Sequence, residues 1–328
     1  MLLGHEDESV LWKNTAYMLR LYFLEFFWNG SELADCLLAD GTPDFRCRPN
    51  QFLCLWVPHL LEPLGIDPFV PKNIGIKILK NGFSELVMPY GVLSLSQKDP
   101  YFHPYHDMCK KYHKDAAYHN GTIWGWNAGF TVSCLCNYGF LQEAWSLSKN
   151  LTNQILYTDC AGSMSENINP FTTKKGEIQC SGTWSQAWSV SEFARNCFQD
   201  YMGIQPLMLE NTLYVNPHIP IEFGGGKSIL LFGTGTVTLE WKVTGECEIS
   251  SSDSIQFKFG GNLGQAYQRD GIYHVYIKNN DQQNNGLVFV KQDMNKKFVT
   301  TKKKNWLKKQ ILKKGFNPGH EGTYSTVK

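Results

Sequence analysis

The sequence predicts a mainly α chain that ends in a small antiparallel β region, and three observations predict it. Up to about residue 203, apolar side chains recur at three- and four-residue spacing, as one face of a helix requires. From about residue 212 the pattern turns to short apolar runs broken by Gly, Asn and Ser, the mark of strands and turns. Gly203 separates the two regimes as a helix stop.

In chain order, helical segments are expected near 8–28, 49–62, 72–84, 127–140, 142–158 and 184–202, about six in all. The segment Val10 to Trp28 is apolar almost all the way round, which predicts a helix covered on both sides. The clearest stripe is Val190, Phe193, Ala194, Cys197, Phe198 and Tyr201. Strands are expected at Ser228–Phe232, Val237–Val243, Ile255–Phe259, Ile272–Ile277 and Leu287–Val290. The implied division is 1–203, 204–295 and a lysine-rich tail, 296–328, holding Trp306, Leu307, Ile311 and Leu312.

The 31 basic and 30 acidic residues leave a net charge of +1, so no sign-dominated surface is available to capture nucleic acid or an anionic membrane. The first ten residues carry His5, Glu6, Asp7 and Glu8 and lack a signal-like apolar core, and no apolar run reaches the ~20 residues of a membrane span. A cytoplasmic chain with a neutral partner is the expectation. Ten cysteines at irregular spacing form neither a zinc pattern nor a redox pair and read as reduced thiols.

Three segments carry chemistry. Ala116–Ala128 places Tyr118, His119, Trp124 and Trp126 around a glycine turn, a mixture of flat apolar rings and hydrogen-bonding groups that suits the C–H faces and hydroxyl edges of a pyranose, although two tryptophans near a helix start also serve as core. Gly162–Pro170 holds Glu166 in a polar loop, where a carboxylate is placed for acid or base work or is simply solvated. Asp44–Gln51 sets Arg48 and Asn50 beside a proline, with Arg48 free to cap or to pair with a carboxylate.

Together and in this order, RPNQ at Arg48–Gln51, YHNGTIWGW at Tyr118–Trp126, SE at Ser165–Glu166 and QAWSVSE at Gln186–Glu192 resemble the amylo-α-1,6-glucosidase domain of glycogen-debranching enzymes and their bacterial relatives. The resemblance covers roughly residues 10–203. It implies an (α/α)6 toroid of six helical hairpins, here a partial one, and inverting hydrolysis of α-1,6-linked glucose from glycogen or a branched α-glucan. Inversion uses two carboxyl groups about 6.5–9.5 Å apart. Carried over residue by residue, Glu166 falls on the general base, and Arg48, Tyr118, His119, Trp124, Trp126, Gln186 and Trp188 fall on substrate-binding positions; no metal or organic cofactor is implied.

The family's proton donor is an aspartate in a TWMD-like motif upstream of RPNQ. Only 47 residues precede Arg48 here and none forms that motif; Asp115 and Asp44 are the carboxylates nearest the matching segments. An amino-terminally truncated product, completed by self-association or by a complementary upstream half, is therefore the expectation. The other reading is a catalytically silent α-glucan-binding protein.

Overall fold

A computed structural model describes residues 4–107, 111–158, 160–278 and 287–296. Helix α1 (Glu6–Phe27) leads into a hairpin of β1 (Cys36–Leu37) and β2 (Pro43–Asp44), followed by α2 (Asn50–His59) and α3 (Lys72–Leu86). A second hairpin, β3 (Val87–Met88) and β4 (Gly91–Val92), precedes α4 (Asp115–Tyr118), β5 (Ile123–Trp124), α5 (Asn127–Asn137) and α6 (Leu141–Tyr157). Strands β6 (Asn167–Asn169) and β7 (Gln179–Ser181) come next, then α7 (Ala187–Arg195), which runs on as a π-helical turn, Asn196–Tyr201.

The remainder is strand: β8 (Ile204–Leu207), β9 (Thr212–Val215), β10 (Gly226–Phe232), β11 (Gly235–Trp241), β12 (Glu246–Ser251), β13 (Gln256–Phe259), β14 (Tyr267–Arg269) and β15 (Ile272–Tyr276). Five strands form an antiparallel sheet in the order β10-β11-β12-β15-β14. Three more pair as β13-β9-β8, with β13 parallel to β9.

This corrects the expectation of a mainly α, partial (α/α)6 toroid with an antiparallel β appendage. The six expected helical segments are present, but three small sheets lie between them, and the carboxy-terminal strands include a parallel pair. The aromatic-rich connections read as loops donate to one another in two- and three-residue ladders, too short to show a period of two in sequence. Strands β8, β9, β12 and β14 were not foreseen, and Leu287–Val290 is not a strand; its Leu287, Phe289 and Val290 pack back on the helical part. The tail beyond Lys296 lies outside the described residues.

Helix α5 is enclosed by its neighbours. It is buried on every side from Asn127 to Cys136 and packs on α2, α6 and α7 at once, so it is the hub of the helical part. Its buried Thr131 and Ser133 hydroxyls are satisfied by the carbonyls four residues back. On α3, Ile78, Leu79, Phe83 and Leu86 make the expected buried stripe, and Gly82 lets Phe52 of α2 approach to where a Cβ would stand 2.8 Å away. Phe83 is fully buried. Phe83→Ala is expected to cost about 3–5 kcal/mol, checked by urea denaturation.

Helix α1 is also a correction. Far from being covered on both sides, it buries only Phe23, and Trp12 is 67% exposed. Acidic Glu6, Asp7 and Glu8 suit its positive amino-terminal end. A second hydrophobic cluster, including Val237, Leu239, Cys247, Ile249 and Val275, fills the space between the two carboxy-terminal sheets. No helix among the described residues is long and apolar enough to cross a membrane.

Candidate functional site

Strands β5, β6 and β7 assemble the site. Their register sets Trp124 opposite Asn167 and Asn167 opposite Ser181, which brings Glu166 and Thr183 together at one end of the ladder, where Tyr118, the last residue of α4, reaches Glu166. Glu166 accepts the Tyr118 hydroxyl on Oε1 and the Thr183 backbone N–H on Oε2 at 2.8 Å, while its own N–H donates to the Thr183 carbonyl at 2.8 Å. Gly182 makes room for this. It has φ +75°, and a Cβ there would lie 2.5 Å from Glu166 Oε2.

Burial pulls the Glu166 carboxyl upward, but the Tyr118 hydroxyl, the Thr183 N–H and nearby His106 outweigh it and hold it below its ordinary value. The side chain is therefore a carboxylate at neutral pH. Tyr118 is pushed up to about 12 by burial and by this same carboxylate, so it remains a donor. His106, lowered by burial and by Lys114, bonds Ser181 Oγ through Nδ1 at 3.1 Å and lies against the Tyr118 ring.

Beside this cluster opens a cleft of about 680 Å³ whose wall includes Arg48, His119, Trp124, Trp126 and Trp188. These are five of the eight residues picked out from the sequence. The other three, Tyr118, Glu166 and Gln186, adjoin the wall residues: Tyr118 contacts both the Trp124 and His119 rings and bonds the half-buried Glu166, and Gln186 accepts the Trp188 indole N–H. Arg48 serves as a brace, donating to the Ser94 and His119 carbonyls and to Asn120 Oδ1, with Asp35 3.8 Å from its Nε. His119 is lowered by burial and by Arg48.

The rings differ in what they offer. Trp124 is only 6% exposed; one face is covered by the His119 ring at 5.2 Å, and its indole N–H is taken by the Tyr118 carbonyl. Trp188 is 55% exposed and presents an open face. Trp188→Ala is expected to weaken binding of a short glucan about tenfold, read by titration calorimetry, whereas Trp124→Ala acts mainly through packing.

Several wall residues were not foreseen. Asn127 lines the wall, with its Oδ1 buried and without a partner. Glu192 is the wall's carboxylate, but Arg195 grips both its oxygens at 2.9–3.1 Å, and the same guanidinium stacks 4.4 Å over Trp56 of the wall. Only their spacing from Trp188 along α7 could have marked them. Asp115 lies 3.0 Å from His113 Nδ1 and 4.0 Å from His106 Nε2, on the Glu166 side of the site. Asp44 accepts the Arg46 N–H on β2 and does not line the cleft. Asp35 is raised by burial although Asn50 and Arg48 oppose this. Among the described residues no group of three or more His, Cys, Asp or Glu could hold a metal ion.

The cleft and its sequence segments define the class, a glycoside hydrolase-like domain of the debranching type. The chain belongs to the Amylo-alpha-1,6-glucosidase family, whose profile matches residues 3–195, more than half its length. A solved structure described as a sialidase shares the fold with a TM-score of 0.56 at 13% identity; the match covers 84% of this chain and 24% of that one. That likeness, to a much longer structure, bears on fold alone and agrees with the mixed helix-and-sheet architecture. No curated protein matches the chain.

Proposed function

We propose that the cleft takes the terminal glucose of an α-1,6 branch on glycogen or a short α-glucan, and that Glu166 activates the water for inverting hydrolysis. The observation that carries this is the held, ionised Glu166 backed by Tyr118 and Thr183 beside an aromatic cleft, within the segment matched to the family. Each carboxylate oxygen accepts one hydrogen bond and so retains a lone pair for water. Arg48 and His119 shape the rim, Trp126 and Trp188 supply ring faces, and Gln186 fixes the Trp188 indole. In this reading a retained or intermolecular carboxyl group replaces the family's missing acid; Asp115, on the His106 side of the site and paired with His113 and Lys114, is the retained carboxylate to test.

A second reading, a silent glucan binder or one half of a split enzyme, is favoured by a specific observation: the one carboxylate in the described wall, Glu192, is chelated by Arg195 and is a poor proton donor. Purified chain is incubated with a short α-1,6-branched dextrin. Glucose release lost in Asp115→Asn supports the first reading; saturable binding without release by folded chain supports the second.

The division at residue 203, with 204–295 as a β domain, belongs to the same proposal and is supported by the two separate hydrophobic clusters.

A further inference from the structure

Helix α1 is held to the rest of the molecule along one side. Phe23 packs edge-on against Phe69 at 4.7 Å and stacks on Phe27, and Arg20 donates to the Asp67 carbonyl at 2.7 Å. Turned away from these contacts, Trp12, Thr15, Leu19, Tyr22 and Phe26 follow one another at alternating three- and four-residue spacing, and all five are exposed. The four large ones are 43–67% exposed, and Leu11 and Met18 extend the same apolar stripe.

That spacing is the one by which two helices form a seam, each side chain filling a gap among four of the facing helix. Thr15 suits a buried seam, because its hydroxyl is already spent on the Leu11 carbonyl at 2.9 Å and strands no donor when water leaves. The size agrees as well. A buried aromatic ring covers about 150–250 Å², so six half-exposed side chains present roughly 600 Å², the upper end for the largest apolar patch of a monomer. Two such stripes face to face bury about 1,200 Å², where stable interfaces begin.

Charge selects the occupant. Helices that lie on membranes carry Lys and Arg along the polar side, whereas α1 sets Glu6, Asp7, Glu8 and Glu25 against Lys13 and Arg20, and Arg20 is tied down. A second α1 fits in one orientation. Parallel helices would bring the acidic first turn of each copy against that of the other; antiparallel ones keep the two turns about 30 Å apart, several screening lengths. Antiparallel pairing about a two-fold axis near Tyr17 also sets Trp12 of one copy beside Tyr22 of the other, and Leu19 beside Thr15. We infer that α1 is the contact of a symmetric homodimer in which two copies of the chain pair antiparallel along this stripe.

Sedimentation velocity of the full chain from about 1 to 100 μM tests it. The expected result is a reversible dimer with micromolar affinity. Leu19→Lys and Tyr22→Lys, at exposed positions and checked for folding by thermal melts, each weaken it at least tenfold. Leu231→Lys, at an 87% exposed apolar side chain on β10, leaves it unchanged and so separates this seam from general stickiness. Orientation is read by oxidation. The double variant Trp12→Cys, Tyr22→Cys cross-links into a covalent dimer, while each single variant shows only the parent's background from exposed Cys36. A parent chain that stays monomeric throughout, as when another segment or protein covers the stripe, overturns the proposal. It is equally overturned by a dimer indifferent to both α1 lysine variants, by one weakened as much by Leu231→Lys, or by cross-linking of the single variants.

Discussion

Glu166→Gln is expected to lower glucose release from a branched dextrin by about 10²–10⁴-fold, with the unfolding midpoint of the chain almost unchanged. Glutamine keeps one acceptor oxygen for the Thr183 N–H, and its NH2 donates to the Tyr118 hydroxyl oxygen, so the loop stays in place, but the amide cannot take a proton from water. A steady-state assay beside a thermal melt checks both halves, and full activity in a folded variant would remove Glu166 from the mechanism. The pH profile adds a signed test. Because Glu166 is held below its ordinary range, its ionised form persists to low pH, and the acid limb lies below that of a free glutamate. Tyr118→Phe removes the strongest of the groups lowering it, so the acid limb moves to higher pH.

Arg195→Met is expected to cost about 3–5 kcal/mol in stability, read by denaturant titration. Arg195 donates to Asp200 Oδ2 at 3.2 Å and to Ser133 Oγ at 3.0 Å, and Asp200, only 5% exposed, also accepts from Ser133 and from Asn196 at 2.6 Å. Removing the guanidinium leaves a buried charge opposed by dipoles alone. Burial already raises the Asp200 carboxyl, with Arg195 the leading opposing influence. In the variant it rises further, so the folded state binds a proton the unfolded state does not, and stability falls as pH climbs through that window. The deficit therefore shrinks on acidification and is largest near neutrality. Loss of Arg195 also frees Glu192 and uncovers Trp56, so the cleft wall loosens in the same variant.

The sequence was a good guide wherever the signal is local. Helices such as α3 and α6 carry their burial pattern as three- and four-residue spacing, and each appears within a few residues of its expected place. The long β10–β11 hairpin was equally plain. Arg48, His119, Trp124, Trp126 and Trp188 could be named in advance because their motifs are contiguous, and the fold brings all five to one wall.

What only the tertiary structure decided follows from contacts distant in sequence. Ladders of two or three residues, as in β5–β6–β7, have no period to read; they exist because Ile123 meets Ile168 and Asn167 meets Ser181 across the chain. Those pairings turned an expected ring of helices into a mixed fold. Apolar content in α1 predicted cover, but cover depends on what surrounds a helix, and here only Phe23 is buried. The partners of Glu166, Tyr118 and Thr183, lie 48 and 17 residues from it. Residue types alone fixed the chemistry available to this chain; the electrostatic state of each group was set by neighbours that no spacing rule could supply.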